Sequence, residues 1–212
     1  MIIVQKKAYN KASGYKLVTT CPLCGKAAIF NNAPNTSDIS TSDGQFTLGQ
    51  RICPNPNCQL HLFFVQEINQ TVITFPALRI DFDSSNIPEK IKKSFEEAII
   101  CHSESCFIAA AIMIRRTLED LCEDRDAKGK NLQDKILALK SKVILPEDLF
   151  NALDDLRLLG NDAAHIESKT YDDIGNNEIE IGIELTKEIL KACYQLKDLV
   201  KKLNRLKKTN VS

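Results

Sequence analysis

Four cysteines in the N-terminal part of the chain have the residue type and spacing of a metal site. Cys21 and Cys24 enclose a short turn followed by Gly25, which can take the positive φ that lets backbone amides approach the sulfurs. Cys53 and Cys58 bracket a second turn, made of two prolines and two asparagines. Two such turns beside strands can aim four thiolates at one point. We therefore predict one zinc ion per chain, and because four protein ligands leave no position for water or substrate, we expect it to be structural.

The second cysteine pair departs from the usual pattern of these turns. Four residues separate Cys53 from Cys58 where two are usual, which predicts a wider turn. His61 lies three residues after Cys58 and could replace one thiolate, although its place in an apolar stretch is that of a strand residue. The other cysteines fall on predicted helices and are expected to be small buried apolar groups: Cys101, Cys106, Cys122 and Cys193.

A second candidate site is a polar stripe near the middle of the helical part. Arg157, Asn161 and His165 are spaced four residues apart, so on a helix they form one slowly winding line, with Asp162 next to Asn161. Gly160 lies beside the stripe. A glycine inside a helix costs ~1 kcal/mol relative to alanine, so we expect another helix backbone to pack close to it.

The same residues also allow a purely structural interpretation. Arg157 can pair with Asp154 or with Glu119 of another helix, and His165 can end its helix, where a cation suits the dipole. Arg115 and Glu119, four residues apart, can form an ordinary helix pair. The residues alone leave the choice between a ligand site and a polar network open.

The elements that must position the cysteines are short strands. Aromatic and β-branched residues alternate with turn formers up to about residue 80, which predicts a small antiparallel β domain over residues 1–80. A linker follows over Pro76–Pro88. The predicted strands are Tyr15–Thr20, Ile29–Asn31, Phe46–Ile52, Leu60–Ile68 and Thr71–Phe75.

From Pro88 onward the apolar period changes to that of helices, so residues 81–212 are predicted to form an all-α domain of about five helices. The expected helices are Pro88–His102, Glu104–Arg125, Leu132–Lys142, one beginning at Pro146, and Glu178–Leu206. The fold class is therefore α+β, with a β zinc ribbon before a helical bundle. The fifth helix ends in a basic run, which is expected to be a solvated face with nucleic-acid contact as the alternative.

Composition and charge limit the function classes. Lys and Arg together number 28, as do Asp and Glu, and this zero net charge argues against a general electrostatic grip on nucleic acid. The first 20 residues lack a secretory apolar run, and no stretch of ~18 apolar residues exists to span a membrane. We predict a cytoplasmic protein, in which cysteines bind metal or stay reduced.

Taken together, several segments resemble the domain-of-unknown-function family numbered 4145. They are Cys-Pro-Leu-Cys-Gly at 21–25, the run at 109–119 that ends Arg115-Arg116-Thr-Leu-Glu119, the helix start at 132–136, and Leu-Arg-Leu-Leu-Gly-Asn-Asp-Ala-Ala-His at 156–165. The resemblance covers nearly the whole chain. Its most specific parts are the segments around Arg115-Arg116 and around Gly160-Asn161.

The resemblance implies a possible nuclease. That family is bacterial and archaeal, occurs alone or fused to restriction-type proteins, and is similar to the HEPN helical domains, many of which are metal-independent RNases of toxin and phage-defence systems. In those RNases four to six residues separate an Arg from the His that follows it. Here Asn161 and His165 fit the second half of the motif, whereas seven residues separate Arg157 from His165.

That longer spacing predicts a dimer if the stripe is catalytic. Eight residues at a rise of about 1.5 Å place the two Cα atoms ~12 Å apart along the helix, further than one scissile phosphate spans. A two-fold dimer would bring His165 of one copy to Arg157 of the other. His165 would then be the acid or base, Arg157 would stabilise phosphate charge, and Asn161 would orient either, with Arg115, Arg116, Glu119 and Asp162 in support.

Two function hypotheses follow. The first is a dimeric RNA-binding or RNA-cleaving module of a defence or restriction-associated system, a metal-independent endoribonuclease if it is an enzyme. The second is a non-catalytic dimeric adaptor that holds protein partners together in such a system. The imperfect motif and the zero net charge favour the adaptor, and the polar stripe favours the RNA module.

Overall fold

The protein has a mixed α+β fold, with an antiparallel sheet followed by helices, as its sequence predicts. A computed structural model describes residues 9–11, 14, 16–68, 72–165 and 173–208. The chain forms two compact units, one ending at Asp81 and the other beginning at Phe82. In the part of the chain that is described, no helix is both long and apolar enough to cross a membrane.

The sheet of the first unit is built around one central strand. Its strands are β1 Tyr9–Lys11, β2 Leu17–Thr20, β3 Ala27–Asn32, β4 Ile39–Thr41, β5 Phe46–Ile52, β6 His61–Glu67 and β7 Ile73–Phe75. Strand β5 pairs along its full length with β6, and on its other edge with β4 at one end and β3 at the other. All pairs are antiparallel, so both cysteine turns lie at strand ends: one between β2 and β3, the other between β5 and β6.

The buried face of β5 carries a charge. Arg51 is fully buried, and both of its terminal nitrogens donate to the Asp38 carboxylate at 2.7 Å. The guanidinium also lies over the Phe64 ring, 4.6 Å from its centroid. By strand alternation Leu48 and Ile52 lie on the opposite face of β5, where they are half buried. The inward face of this strand is therefore specified by an ion pair and not by its apolar residues.

The second unit is helical, with α1 Glu89–Ser103, α2 Phe107–Asp124, α3 Leu132–Leu139, α4 Glu147–Ala164, α5 Asn176–Leu190 and α6 Leu196–Lys208. Local signals fix several ends. Pro88 and Pro146 precede α1 and α4, and the Asn131 side chain accepts a hydrogen bond from the Asp134 amide at 2.9 Å. Helix α2 begins three residues later than the sequence predicts, because Ser105 has a positive φ of 59°. This also leaves Cys106 exposed, so its predicted burial is wrong.

The fifth predicted helix is longer than expected and is interrupted. A π-helical turn, Lys191–Gln195, joins α5 to α6 without a break, so the chain is helical from Asn176 to Lys208. A π turn inserts one extra residue into an α-helix and changes the direction in which later side chains point. It is the reason for counting six α-helices where the sequence predicts about five.

Candidate functional site

The four cysteines of the β unit meet at one point. All of their Sγ atoms lie within 4.8 Å of one another. Two of the separations are 3.7 Å, between Cys21 and Cys58, and 3.8 Å, between Cys24 and Cys53. A disulfide requires about 2.05 Å between sulfurs, so the four are free thiols arranged as a group.

The first cysteine turn is closed by backbone hydrogen bonds. The Cys21 amide donates to the Lys26 carbonyl and the Gly25 amide donates to the Cys21 carbonyl, both at 3.0 Å. Gly25 has a φ of 67°, in the left-handed region that glycine tolerates best. The predicted positive φ is present, and it folds the turn so that both sulfurs point the same way.

The second cysteine turn is closed in the same manner over a longer path. The Cys53 amide donates to the Leu60 carbonyl at 2.9 Å, and Gln59, the residue directly after the second cysteine, has a φ of 49°. The two additional residues form an inner turn in which the Cys58 amide donates to the Asn55 carbonyl at 2.9 Å. The wider spacing is thus absorbed inside the turn, and the sulfurs keep their positions.

Burial and hydrogen bonding give the thiols unequal proton affinities. Burial raises the pKa of the Cys53 thiol to about 12. By contrast, a hydrogen bond from the Lys26 backbone amide, and a smaller contribution from the Asn55 side chain, lower the pKa of the Cys24 thiol to about 6. The sulfurs lie against a buried apolar cluster of Leu17, Phe30, Leu62 and Phe64. A buried thiol such as Cys53 becomes a thiolate at neutral pH only beside a cation.

The dimensions of the group fit a tetrahedral metal ion. A metal–sulfur distance of about 2.3 Å in a tetrahedron corresponds to sulfur–sulfur edges of ~3.8 Å, which is the separation found for Cys24 and Cys53. The four cysteines can therefore hold a metal ion. Such a site has all four positions filled by protein, which leaves none for substrate.

His61 lies outside this group. It is the first residue of β6, opposite Ile52 of β5, and its side chain is exposed on the sheet. Its ring Nδ1 is 2.6 Å from the Gln50 side-chain nitrogen. The structure brings four cysteines together without it, so the alternative of a histidine ligand gains no support.

The two ends of the polar stripe on α4 differ in environment: Arg157 forms an ion pair, whereas His165 is exposed. Arg157 is 16% exposed at its side chain, and its Nε donates to the Asp154 carboxylate at 2.7 Å. His165 follows the last helical residue and is exposed, with its amide donating to the Asn161 carbonyl at 3.0 Å. Asn161 and Asp162 are half buried. Of the two partners that the sequence offers Arg157, the structure selects Asp154.

The supporting residues of α2 are engaged in ion pairs of their own. Arg115 lies 3.5 Å from Glu119, one turn further along, and also donates to the Arg157 carbonyl at 3.3 Å. Arg116 lies 3.4 Å from Asp120. The two ion pairs lie within α2, as in the structural interpretation of the sequence, and the Arg115 hydrogen bond to the Arg157 carbonyl ties α2 to α4.

Gly160 marks where α4 approaches α2 most closely. A Cβ atom at this position would overlap the Cβ of Arg115 and lie 3.1 Å from the Ala111 carbonyl oxygen. The absence of a side chain therefore allows the two helix backbones to pack together, as predicted. Through this contact the helix that carries the stripe is held against the central helix of the unit.

A polar node between α1 and α2 escaped the sequence analysis. Asp120 is 2% exposed and accepts a 2.6 Å hydrogen bond from the Ser94 hydroxyl. Its other oxygen lies 3.1 Å from the Lys90 ammonium. The available signal was an acid at a core position of α2, four residues after Arg116 and among buried apolar residues.

Comparison with known families identifies the helical part. The family model described as Domain of unknown function (DUF4145) matches residues 96–208, more than half of the chain. The chain belongs to this family, which confirms the resemblance noted in the sequence. The matched range contains the α4 stripe and excludes the four cysteines. No curated protein and no solved structure matches the chain.

Proposed function

We propose that this member of the DUF4145 family is a non-catalytic adaptor. In this proposal a structural zinc ion stabilises the β unit as a zinc ribbon, the helical unit forms a homodimer, and the molecule holds protein partners of a restriction or defence system together. The observation that carries the proposal is an apolar surface on the sheet, which has the character of a protein-binding face.

The apolar surface lies on β6 and β7. Phe63 and Phe75 are cross-strand neighbours with 51% and 72% of their surface exposed, and Ile73, opposite Val65, is 50% exposed. Their sequence neighbours Leu62, Phe64 and Thr74 are buried on the other face. Isolated apolar residues on a surface are ordinary, but contiguous aromatic ones at an open sheet face mark interaction sites.

Zinc is the metal that best fits the cysteine group. Four thiolates are soft ligands and tetrahedral, a combination that selects zinc or iron–sulfur centres over magnesium or calcium. Two hydrogen-bonded turns at the ends of antiparallel strands are what a zinc ribbon requires. Bound zinc would neutralise part of the charge of the buried thiolates and supply folding free energy to a small unit.

The state of Arg157 supports a non-catalytic role. Its side chain is mostly buried and its Nε is paired with Asp154, so a phosphate at this guanidinium would compete with that carboxylate for the positive charge. The partners of Arg115 and Arg116 are also acids of their own helix. Little uncompensated positive charge is left on this surface to attract RNA.

The adaptor proposal has two direct tests. Wild-type protein incubated with structured and single-stranded RNA should leave both intact, and so should His165→Ala and the matched control His61→Ala. A partner protein co-purified from the native host should be lost in Phe63→Ser/Phe75→Ser and kept in Val18→Ser, which alters another exposed apolar residue of the sheet. RNA cleavage by the wild type that is lost in His165→Ala but kept in His61→Ala would contradict the adaptor.

One observation favours a second candidate, the RNA-cleaving module. His165 is exposed one turn after the half-buried Asn161, at the end of α4, where it could serve as an acid or base. The similarity of the family to HEPN RNases supports the same role. This candidate requires cleavage without added metal that is lost in both His165→Ala and Arg157→Ala, and cleavage that persists in both variants would remove the stripe from consideration.

A further inference from the structure

The last helix carries an apolar stripe that is more than half exposed. Leu196, Leu199, Leu203 and Leu206 alternate at spacings of three and four residues, and each is between 53% and 67% exposed. The six residues from Lys201 to Leu206 are all exposed. Leucine at successive a and d positions is the pattern of a paired helix, and most of the stability of a helix in a protein comes from packing of its apolar face.

The first half of the same long helix carries a groove of complementary character. Glu180, Glu184 and Glu188 border it, and Ile181 and Leu185 form its apolar part. Ile181 is 61% exposed. Glu184 and Glu188 each contact a lysine of their own helix, but more than half of either side chain is exposed, so each carboxylate can accept further hydrogen bonds.

The π turn aligns the groove with the stripe. Glu180, at the border of the groove, and Leu199 of the stripe are 19 residues apart, and without the one residue that the π turn inserts the distance is 18 residues. At about 3.6 residues per turn this is five full turns, so the two side chains point in nearly the same direction. The same spacing relates Glu184 to Leu203. One side of the helix therefore presents the groove first and the stripe next.

The two halves of this helix have opposite charge. Between residues 176 and 190 there are four acids and one lysine, whereas between 196 and 208 there are six basic residues and one acid. The helix dipole does not account for this division, because its effect fades within the first and last turns. Two copies aligned in parallel would oppose acid to acid, and two α6 helices paired together would oppose base to base.

We propose that two copies of this chain pair antiparallel along the helix from Asn176 to Lys208, with the α6 stripe of each copy lying in the acidic α5 groove of the other. A two-fold axis near the π turn makes the contact self-complementary, so both stripes and both grooves are covered at once. The basic side chains that flank the stripe, such as Lys202, reach the glutamates at the groove border. The inference rests on the homodimer of the proposed function and assigns its surface.

The test is charge reversal of each half, read by the molar mass of the full chain in light scattering and sedimentation. Wild type should have twice the chain mass of 23.8 kDa. Glu184→Lys and Lys202→Glu should each raise the dimer dissociation constant at least about tenfold, since the ion pair on each side of the two-fold axis becomes a like-charge pair. A one-to-one mixture of the two variants should restore the dimer, and so should both changes in one chain.

Controls separate this surface from other ways of pairing. Glu89→Lys/Glu96→Lys reverses two exposed acids of α1 and should leave the dimer unchanged, while circular dichroism should show equal helicity in every variant. Stronger association of Lys202→Glu would indicate α6 paired with α6 and would overturn the antiparallel contact. A wild-type dimer that ignores both reversals would reject this surface but keep the adaptor dimer, whereas a wild-type monomer would reject both.

Discussion

Replacing Gly160 by alanine tests whether this glycine is present for packing. Alanine removes the helix penalty of glycine, a gain of about 1 kcal/mol if nothing else changes. The new Cβ would, however, overlap the Arg115 Cβ and lie 3.1 Å from the Ala111 carbonyl oxygen, which is backbone of the central helix α2 and cannot rotate away. Overpacking of this kind costs about 1–3 kcal/mol, and the backbone contact argues for the upper end.

The expected net loss for Gly160→Ala is therefore about 2 kcal/mol, or roughly 5–10 °C in the Tm of the helical unit. Gly182→Ala is the matched control, because the atoms nearest to its Cβ, at 3.2 to 3.4 Å, are terminal methyl groups of Ile114, Leu156 and Leu159 that can turn aside. Urea unfolding followed by circular dichroism at constant metal concentration measures both. Equal or greater stability of Gly160→Ala compared with Gly182→Ala would refute the close contact between α2 and α4.

Three further outcomes follow from other contacts. Asp38→Ala leaves Arg51 buried without its counter-ion and should cost about 3–5 kcal/mol in urea unfolding of the β unit, whereas Asp38→Leu/Arg51→Met should recover most of the loss. Burial, and then the hydrogen bond to Asp124, raise the pKa of Tyr194 above its ordinary value. The stability that this hydroxyl contributes is therefore complete below the unfolded pKa and is lost as the pH rises through the folded pKa. Absorbance titration should show that Tyr194 ionises at a higher pH than free tyrosine, and at a lower pH in Asp124→Asn than in the wild type. Hydrogen bonding to Lys90 lowers the pKa of Glu123. A pH titration followed by NMR should show that the pKa of Glu123 rises to its ordinary value in Lys90→Met.

The parts of the fold that were predictable from the sequence are those fixed by local chemistry. Pro88, Asn131 and Pro146 mark helix starts whose hydrogen bonds close within one turn. The first cysteine turn was equally readable, because Gly25 is the residue that a positive φ requires there. Gly160 indicated a close contact between helices, because a glycine inside a helix lowers helix stability and is best explained by a second helix packed against it.

The parts that were missed depend on distant partners. Strand β4, Ile39–Thr41, lies in a polar stretch and exists because β1 and β5 pair with it on either side. The burial of Arg51 could not be predicted, because nothing near it in sequence signals Asp38, 13 residues away, as a buried partner. The π turn at Lys191–Gln195 likewise has no marker in residue type.

The two candidate sites differ in the same way: one is fixed by local hydrogen bonds and the other by contacts between helices. The spacing of the cysteines was sufficient to predict that they meet, because both turns close through local hydrogen bonds. For the α4 stripe the sequence offered Arg157 two acids, Asp154 on its own helix and Glu119 on α2, with equal plausibility. Only the packing of α4 on α2 decides between them: it leaves Glu119 to Arg115 and gives Asp154 to Arg157.

Native mass spectrometry of the full chain, purified without added metal or chelator, tests the zinc-stabilised adaptor most directly. We expect a dimer, twice the 23.8 kDa chain, that carries two zinc ions, one per chain. A Cys24→Ser/Cys53→Ser variant should carry none. A wild-type chain that contains no metal, or that is detected only as a monomer at micromolar concentration, would contradict the proposal.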